Sequence, residues 1–337
     1  MTQPNSTKLK VAIVGASTLK GKEVQTVLNE RKFPISKMVL MDSDEDLGRL
    51  SEFDGEPVFS LAIQESSFAF IDLVFFAGDP STTQTYAPLA RQNNFVSIDL
   101  THAFPKDRQI PIYLEDQMGT GFPIQPHQGV VCSPHPAVIS IAVLLKRLCL
   151  RHEIRNCVIS IFEPASERGN TGVEELEQQT LNIFSFQKGP QAVFDRQLAF
   201  NLLSRLGDEA SEKLIDVEEI ISSQLKTLLE GTCPLPAVTL LQAPIFHSHS
   251  FSIFVEMDQA VKVAEVEGLL GSDHLTVIQT ADEPPSPVQV SGTDTVQVGG
   301  MKRDFLNPKG FWFWAVSDNL RLSALNAVAA AESIFLR

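Results

Sequence analysis

The sequence predicts an α/β fold: a doubly wound parallel sheet followed by a second half of mixed α+β character. Three observations carry this. Short apolar runs alternate with helix-period stretches in the first part of the chain, the first run ends in a glycine-bearing turn, and beyond residue 157 strands and helices no longer alternate regularly.

The elements follow in order. Lys10-Val11-Ala12-Ile13-Val14-Gly15 is a short buried strand, and the turn at residues 15–21 leads into a helical pattern over residues 22–30. Such a turn can present backbone N–H groups to a pyrophosphate. Gly15 and Gly21 fit that role, whereas Thr18 stands at the middle glycine position and its Cβ is expected to crowd a phosphate. A tight turn that binds nothing fits the same residues. Met38-Val39-Leu40-Met41 is the next strand, running into Asp42-Ser43-Asp44-Glu45-Asp46. Acids at that place suit ribose hydroxyls and repel a 2′-phosphate, so any nicotinamide cofactor is expected to be NAD over NADP. A solvated acidic loop is the alternative.

Strands follow at residues 71–78 and 95–100, with a helix at 81–92 between them, and Val130-Val131-Cys132 closes the sheet. The second half reads as a strand at 158–161, helices at 172–184 and 212–229, and strands at 238–241 and 252–255. Val173, Leu176, Thr180, Leu181 and Phe184 recur at helical spacing, which by itself suggests core. Asp318-Asn319 caps a final helix with a small-residue face. The first domain is therefore expected over residues 1–137 and completed by 318–337, with 138–317 as the second domain.

Composition narrows the function. A chain of 337 residues accommodates two ordinary domains. A formal charge of -14 argues against nucleic acid, which needs a basic surface, and against anionic membranes. No apolar run approaches the roughly 18 residues that span a bilayer. The polar start, Met1-Thr2-Gln3-Pro4-Asn5-Ser6-Thr7, lacks a signal-peptide core, so a cytoplasmic location is expected. The four cysteines, at 132, 149, 157 and 233, have no paired metal spacing and are too sparse for a disulfide framework.

The stretch Val130-Val131-Cys132-Ser133-Pro134-His135-Pro136-Ala137 passes from a strand through a polar turn to a helix, where an α/β enzyme can present a nucleophile. Its one thiol, Cys132, still belongs to the apolar run. The turn is the place for a catalytic cysteine, and the cysteine is absent.

Several phrases resemble the aspartate-semialdehyde dehydrogenase family. Residues 15–21 match in part its opening Gly-Ala-Thr-Gly-x-Val-Gly turn. Asp99-Leu100-Thr101-His102-Ala103-Phe104-Pro105 echoes its Asp-Asn-Ser-Ser-Ala-Phe-Arg strand end, and Ser133-Pro134-His135-Pro136 falls on its Asn-Pro-Asn-Cys nucleophile segment. Ala243-Pro244-Ile245-Phe246-His247-Ser248-His249-Ser250 is similar to its histidine strand, and Ser317-Asp318-Asn319-Leu320-Arg321 to its last helix start. Arg196-Gln197-Leu198-Ala199-Phe200-Asn201 and Gln242-Ala243-Pro244 resemble most closely a paralogous branch that lacks the cysteine and has no established activity.

The resemblance implies a Rossmann-like domain plus a dimerisation domain with a large antiparallel sheet, and a homodimer. It implies reductive dephosphorylation of β-aspartyl phosphate with NADPH through a covalent thioester. That chemistry needs a thiolate, a histidine, a neutral amide at the oxyanion and arginines for the substrate's anions. The nucleophile position is Pro136, the assisting amide is Glu163, the carboxylate-binding arginine is Gln242, the phosphate-binding arginine is Pro105, and the cofactor-phosphate arginine is Glu45. His249 is the catalytic group retained. His247 and His249, two apart on a predicted strand, face one way, but no third ligand is identifiable and no metal site is predicted. The dinucleotide, if bound, is placed by the resemblance at Gly15, Ser17, Thr18, Leu19, Gly21, Ala77, Gly78 and Asn319.

The expectation is a catalytically degenerate homodimer of this family with weak dinucleotide binding. Its alternatives are an active NAD(P)-dependent semialdehyde dehydrogenase using Cys132, and a regulatory or scaffolding partner of an active paralogue.

Overall fold

A computed structural model describes residues 8–43, 50–53, 56–115 and 129–336. They form two compact units, Met1–His135 with Ser323–Arg337, and Pro136–Leu322. In the first unit β1 (Leu9–Val14) leads through α1 (Leu19–Glu30) to β2 (Ile35–Asp42). A small antiparallel hairpin, β3 (Leu50–Phe53) and β4 (Glu56–Phe59), precedes the short β5 (Leu61–Ala62). Then come β6 (Leu73–Phe76), α2 (Pro80–Tyr86), α3 (Ala90–Asn93), β7 (Val96–Asp99) and β8 (Val130–Cys132).

The main sheet runs β5-β2-β1-β6-β7-β8, with every pairing parallel. The order reverses between β1 and β6, which is the point where a doubly wound sheet accepts ligands. Its strands β6, β7 and β8 are wholly buried and β1 nearly so, as strands covered by helices must be, whereas the edge strand β5 is open at Leu61. The single helix expected at 81–92 is broken: Pro88 has no N–H to continue the ladder, so a 3-10 turn at Ala87–Leu89 separates α2 from α3. Phe68 fills the core beside it, stacked on Phe76, Tyr86 and Phe95 at 5.4–6.2 Å between ring centroids. Burying such a ring contributes about 1.5–3 kcal/mol.

The second unit holds α4 (Pro136–Cys149), β9 (Ile154–Glu163), α5 (Gly169–Phe184), α6 (Leu214–Leu229), β10 (Ala237–Gln242), β11 (His249–Met257), α7 (Val263–Leu270), β12 (Leu275–Val277), α8 (Pro287–Val290), β13 (Val296–Arg303) and β14 (Gly310–Ser317). Its sheet order is β10-β9-β11-β14-β13-β12. The large sheet is mixed, not purely antiparallel: three antiparallel pairings form its centre and a parallel pair closes each edge.

One face of this sheet is covered by α4, α6 and α7. The opposite face carries Val158, Phe254 and Trp312 in one register row and Phe162 and Trp314 beside it, all half-buried or exposed. On α5, Leu176 is buried as its spacing predicts, whereas Leu181 and Phe184 stand 52% and 72% exposed, so part of that apolar stripe faces outward. The loop bearing Arg196 and Phe200 is moulded on α5. Glu175 accepts from the Val193 and Phe194 N–H groups, and the Gln179 side chain bonds Leu198, Ala199, Pro190 and Arg196.

The last helix, α9 (Asn319–Phe335), starts in the second unit and continues into the first. There Asn326 accepts from Glu115 N and donates to Tyr113 O and Ser133 Oγ, at 2.8–2.9 Å. Arg31 pairs with Glu332 at 2.8 Å and Glu115 at 3.6 Å. The C-terminal helix thereby fixes the chain on both sides of residues 116–128. No helix among the described residues is long and apolar enough to cross a membrane.

Candidate functional site

The first group of predicted residues sits at the sheet reversal of the first unit. Gly15 leaves β1 at φ +81, and a Cβ on it would lie 2.4 Å from the Gly78 Cα. Two strand exits therefore touch backbone to backbone, which requires glycine. A Cβ at Gly21 would lie 2.1 Å from the Gly15 oxygen. Thr18 caps α1: its hydroxyl accepts from Gly21 N at 3.0 Å and is bonded to the oxygens of Gly15 at 2.7 Å and Ala77 at 2.9 Å. Leu19 opens the helix, half-buried.

Ser17 is held from below. Its N–H and hydroxyl both donate to the buried Asp42 carboxylate, at 2.9 and 3.0 Å, and Ser60 donates to the other oxygen at 2.7 Å. Asp42 thus braces the turn from β2 and is not free for a ribose. Asp44, Glu45 and Asp46 lie outside the described residues. The close glycine approach, with a helix start at the sheet reversal, has the shape and dipole that suit a dinucleotide pyrophosphate.

The β8–α4 turn follows. Cys132 is buried in β8; its N–H donates to Pro111 O and its carbonyl accepts from Tyr113 N, both at 2.9 Å. Its sulfur lies 3.4 Å from Ser133 O. Burial, with the charge of Asp99 next, pushes the thiol well above its ordinary pKa. A buried, protonated thiol is a poor nucleophile. Burial also raises Asp99, against the hydrogen bonds it accepts from Thr101 and Ala103. Ser133 donates to Asp99 O at 2.9 Å, and His135 is buried with its ring 5.4 Å from that of His102. Pro136 is buried as the first residue of α4, a place proline favours. Its carbonyl accepts from Ser140, whose hydroxyl also meets Ser317 at 2.8 Å.

The second unit gathers the remaining positions at one end of its sheet. Glu163 ends β9 beside Gln242 at the end of β10, and His249 opens β11 opposite Ser317 at the end of β14. Because β9 runs parallel to β10 and antiparallel to β11, these residues share one sheet end by register alone. All four are fully buried. Gln242 Nε2 donates to Glu163 O at 2.8 Å, while its Oε1 has no partner among the described residues. The Glu163 carboxylate is paired with Arg168 at 2.7 Å, and Arg168 also meets Glu212 at 2.8 Å. Burial works against the charge on Arg168, but Glu163, then Glu212 and Glu167, hold its pKa above the usual value.

Ser248 at φ +75 breaks the strand before His249. His247 therefore lies outside β11, half-buried, and the expectation that both histidines face one way along a strand does not hold. Asn319 is buried in the second unit. Its Nδ2 donates to Ser166 Oγ at 3.0 Å and Glu167 Oε1 at 2.7 Å, and its Oδ1 accepts from Ser248 N at 3.0 Å. The amide bridges two loops within that unit.

Arg168 is the residue that sequence reading passed over. The signal was present, because a glutamate ending a buried strand needs a cation and Arg168 is five residues on. What hid it is the 3-10 turn Ala165–Arg168 that folds the guanidinium back. Gly172 permits that turn, since a Cβ there would lie 2.4 Å from Ala165 O.

Residues 10–118 match the semialdehyde dehydrogenase NAD binding domain, and residues 145–322 match the semialdehyde dehydrogenase dimerisation domain. An aspartate-semialdehyde dehydrogenase of Rickettsia conorii is 31% identical over 332 residues, covering 97% of this chain and 98% of the relative. A USG-1 protein homolog of Azotobacter vinelandii is also 31% identical, over 330 residues, with 97% and 98% covered. The structure of a probable aspartate-semialdehyde dehydrogenase from Pseudomonas aeruginosa superposes with a TM-score of 0.86 at 27% identity, covering 97% of this chain and 98% of that one.

Proposed function

Because the chain belongs to the aspartate-semialdehyde dehydrogenase family, we propose that it is a member that has kept the fold and lost the covalent chemistry. The observation that carries the reading is the Glu163–Arg168 pair: the position that should offer a neutral amide to an oxyanion holds a buried carboxylate, bonded at 2.7 Å to the neighbouring guanidinium. A charge fixed this way opposes a developing oxyanion instead of stabilising it. Pro136 at the nucleophile position brings no functional group, and Gln242 brings no positive charge to a substrate carboxylate. His249 then has no thiol to serve, and its buried ring packs beside Phe251 at 5.9 Å between centroids.

A nicotinamide dinucleotide remains compatible with the Gly15–Gly78 approach, held by Gly15, Thr18, Leu19 and Gly78; when bound it would supply hydride chemistry. The acidic run at residues 42–46 favours NAD over NADP. The aromatic outer face of the second sheet, with Phe254, Trp312 and Trp314, supports a homodimer in which that face is covered by a second copy. An active paralogue could be covered by the same face, and subunit mass spectrometry of the protein from its native cell separates the two assemblies.

Relatives named as dehydrogenases keep an active enzyme using Cys132 as the alternative. Against it stands the buried, protonated state of that thiol. The test is turnover of aspartate semialdehyde with phosphate and NADP or NAD by the purified dimer. The expected rate is that of the buffer. Turnover that disappears in Cys132→Ser would overturn the proposal.

A further inference from the structure

Away from the candidate site, the second unit holds a group of sulfur atoms. Cys149 is the last residue of α4. Cys233 follows the end of α6, where Gly231 at φ +78 turns the chain and the Cys233 N–H returns to Leu229 O at 3.0 Å. The two helix ends converge on one cavity, where the Cys149 and Cys233 thiols interact. Both residues are half-buried and line a cavity of about 570 Å3 with Arg151, His152, Ile154 and Thr232. Cys157 lies below them on β9, buried.

We propose that Cys149 and Cys233 form a reversible dithiol–disulfide site that reacts with small disulfides of the glutathione class entering this cavity. The two sulfurs are not equivalent. The hydrogen bond from Cys149 is the largest influence lowering the Cys233 pKa; burial opposes it, and Thr232 and the nearby charge of Lys146 lower it further. Cys149, the donor, is pushed up, first by that same bond and then by burial. Burial raises Cys157 to about 12. Cys233 is thus the thiolate that attacks, and Cys149 is the thiol that resolves.

The steps balance. Cys233 thiolate attacks one sulfur of the small disulfide, the S–S bond breaks, and one small thiolate leaves with the electron pair. Cys149 then gives its proton to solvent and attacks the Cys233 sulfur of the mixed disulfide, expelling the second small thiolate. Two protein thiols are oxidised and one small disulfide is reduced to two thiols. This inference is independent of whether the dehydrogenase chemistry survives.

The test is a glutathione redox titration of the full-length protein at neutral pH, read by intact mass and by peptide mapping after alkylation. The expected result is loss of two hydrogens and a Cys149–Cys233 link within one chain, with Cys132 and Cys157 still alkylated. In the reduced protein Cys233 should alkylate at least about tenfold faster than Cys132, in line with thiolate control of reactivity. Cys149→Ser should stop at a glutathione adduct on Cys233. Four free thiols at every glutathione ratio, a link between two chains, or a link that includes Cys132 would overturn the proposal. The wild-type map decides even if Cys149→Ser fails to fold.

Discussion

The β1–α1 turn of the first unit and the sheet end of the second both hold buried polar groups, but they use them differently. At the turn, Asp42, Ser17 and Thr18 bond to backbone and to one another and leave a glycine approach whose shape is intact. At the sheet end, Glu163 and Arg168 bond to each other. A phosphate site made of backbone survives side-chain change, because its donors are N–H groups every residue has. An acyl-transfer site made of side chains does not, because one substitution removes a reacting atom. On the proposed reading, the first region keeps its geometry while the second keeps only its burial.

That contrast can be broken at either region. The largest effect is expected for Arg168→Ala, which leaves Glu163 buried without its cation. Stability measured by urea unfolding should fall by about 3–5 kcal/mol. Glu163→Gln in the same background should recover part of the loss, since the uncompensated charge is then gone. No recovery would mean that the pair matters for packing and not for charge.

Gly15→Ala attacks the other region. A Cβ at φ +81, 2.4 Å from Gly78 Cα, should cost about 1–3 kcal/mol in unfolding measurements. It should also abolish any change in NADH fluorescence on mixing. A smaller effect, about 0.5–1.5 kcal/mol, is expected for Ser17→Ala, which removes one donor from Asp42 and leaves the Ser17 N–H and Ser60 in place.

The smallest effect concerns pH. The folded Cys132 thiol has a raised pKa, so its contribution to stability is complete below the ordinary thiol pKa near about 8.5 and is lost as pH rises through the folded value. Cys132→Ala lacks this term. The stability gap between wild type and variant, followed by thermal unfolding, should narrow above about pH 8.5. A gap that stays constant would mean the thiol is less buried than its surroundings indicate.

The first sheet was legible because most of its strands carry a short run buried on both faces, from Leu9–Val14 to Val130–Cys132, whereas the two-residue edge strand β5, with Leu61 exposed, gave no such signal. Less of the second sheet could be read. β13 carries the glycines 299 and 300 and shifts register against β14, so its sequence has no clean alternation. β14 reads as one apolar block, because its half-exposed positions are Trp312 and Trp314. Leu181 and Phe184 are likewise apolar side chains that stand exposed. At the site, flanking phrases assign Pro136, Glu163 and Gln242 to family positions by resemblance alone. Their shared sheet end could not be read this way, because it depends on register between strands about 80 residues apart in sequence.

The account stands or falls on whether any sulfur can hold an acyl group. The direct measurement is intact mass of the protein after incubation with aspartate semialdehyde and excess NAD or NADP without phosphate, which would leave a thioester unresolved. The predicted spectrum is that of the unmodified chain. A mass gain of one aspartyl group, mapped to Cys132, would contradict it.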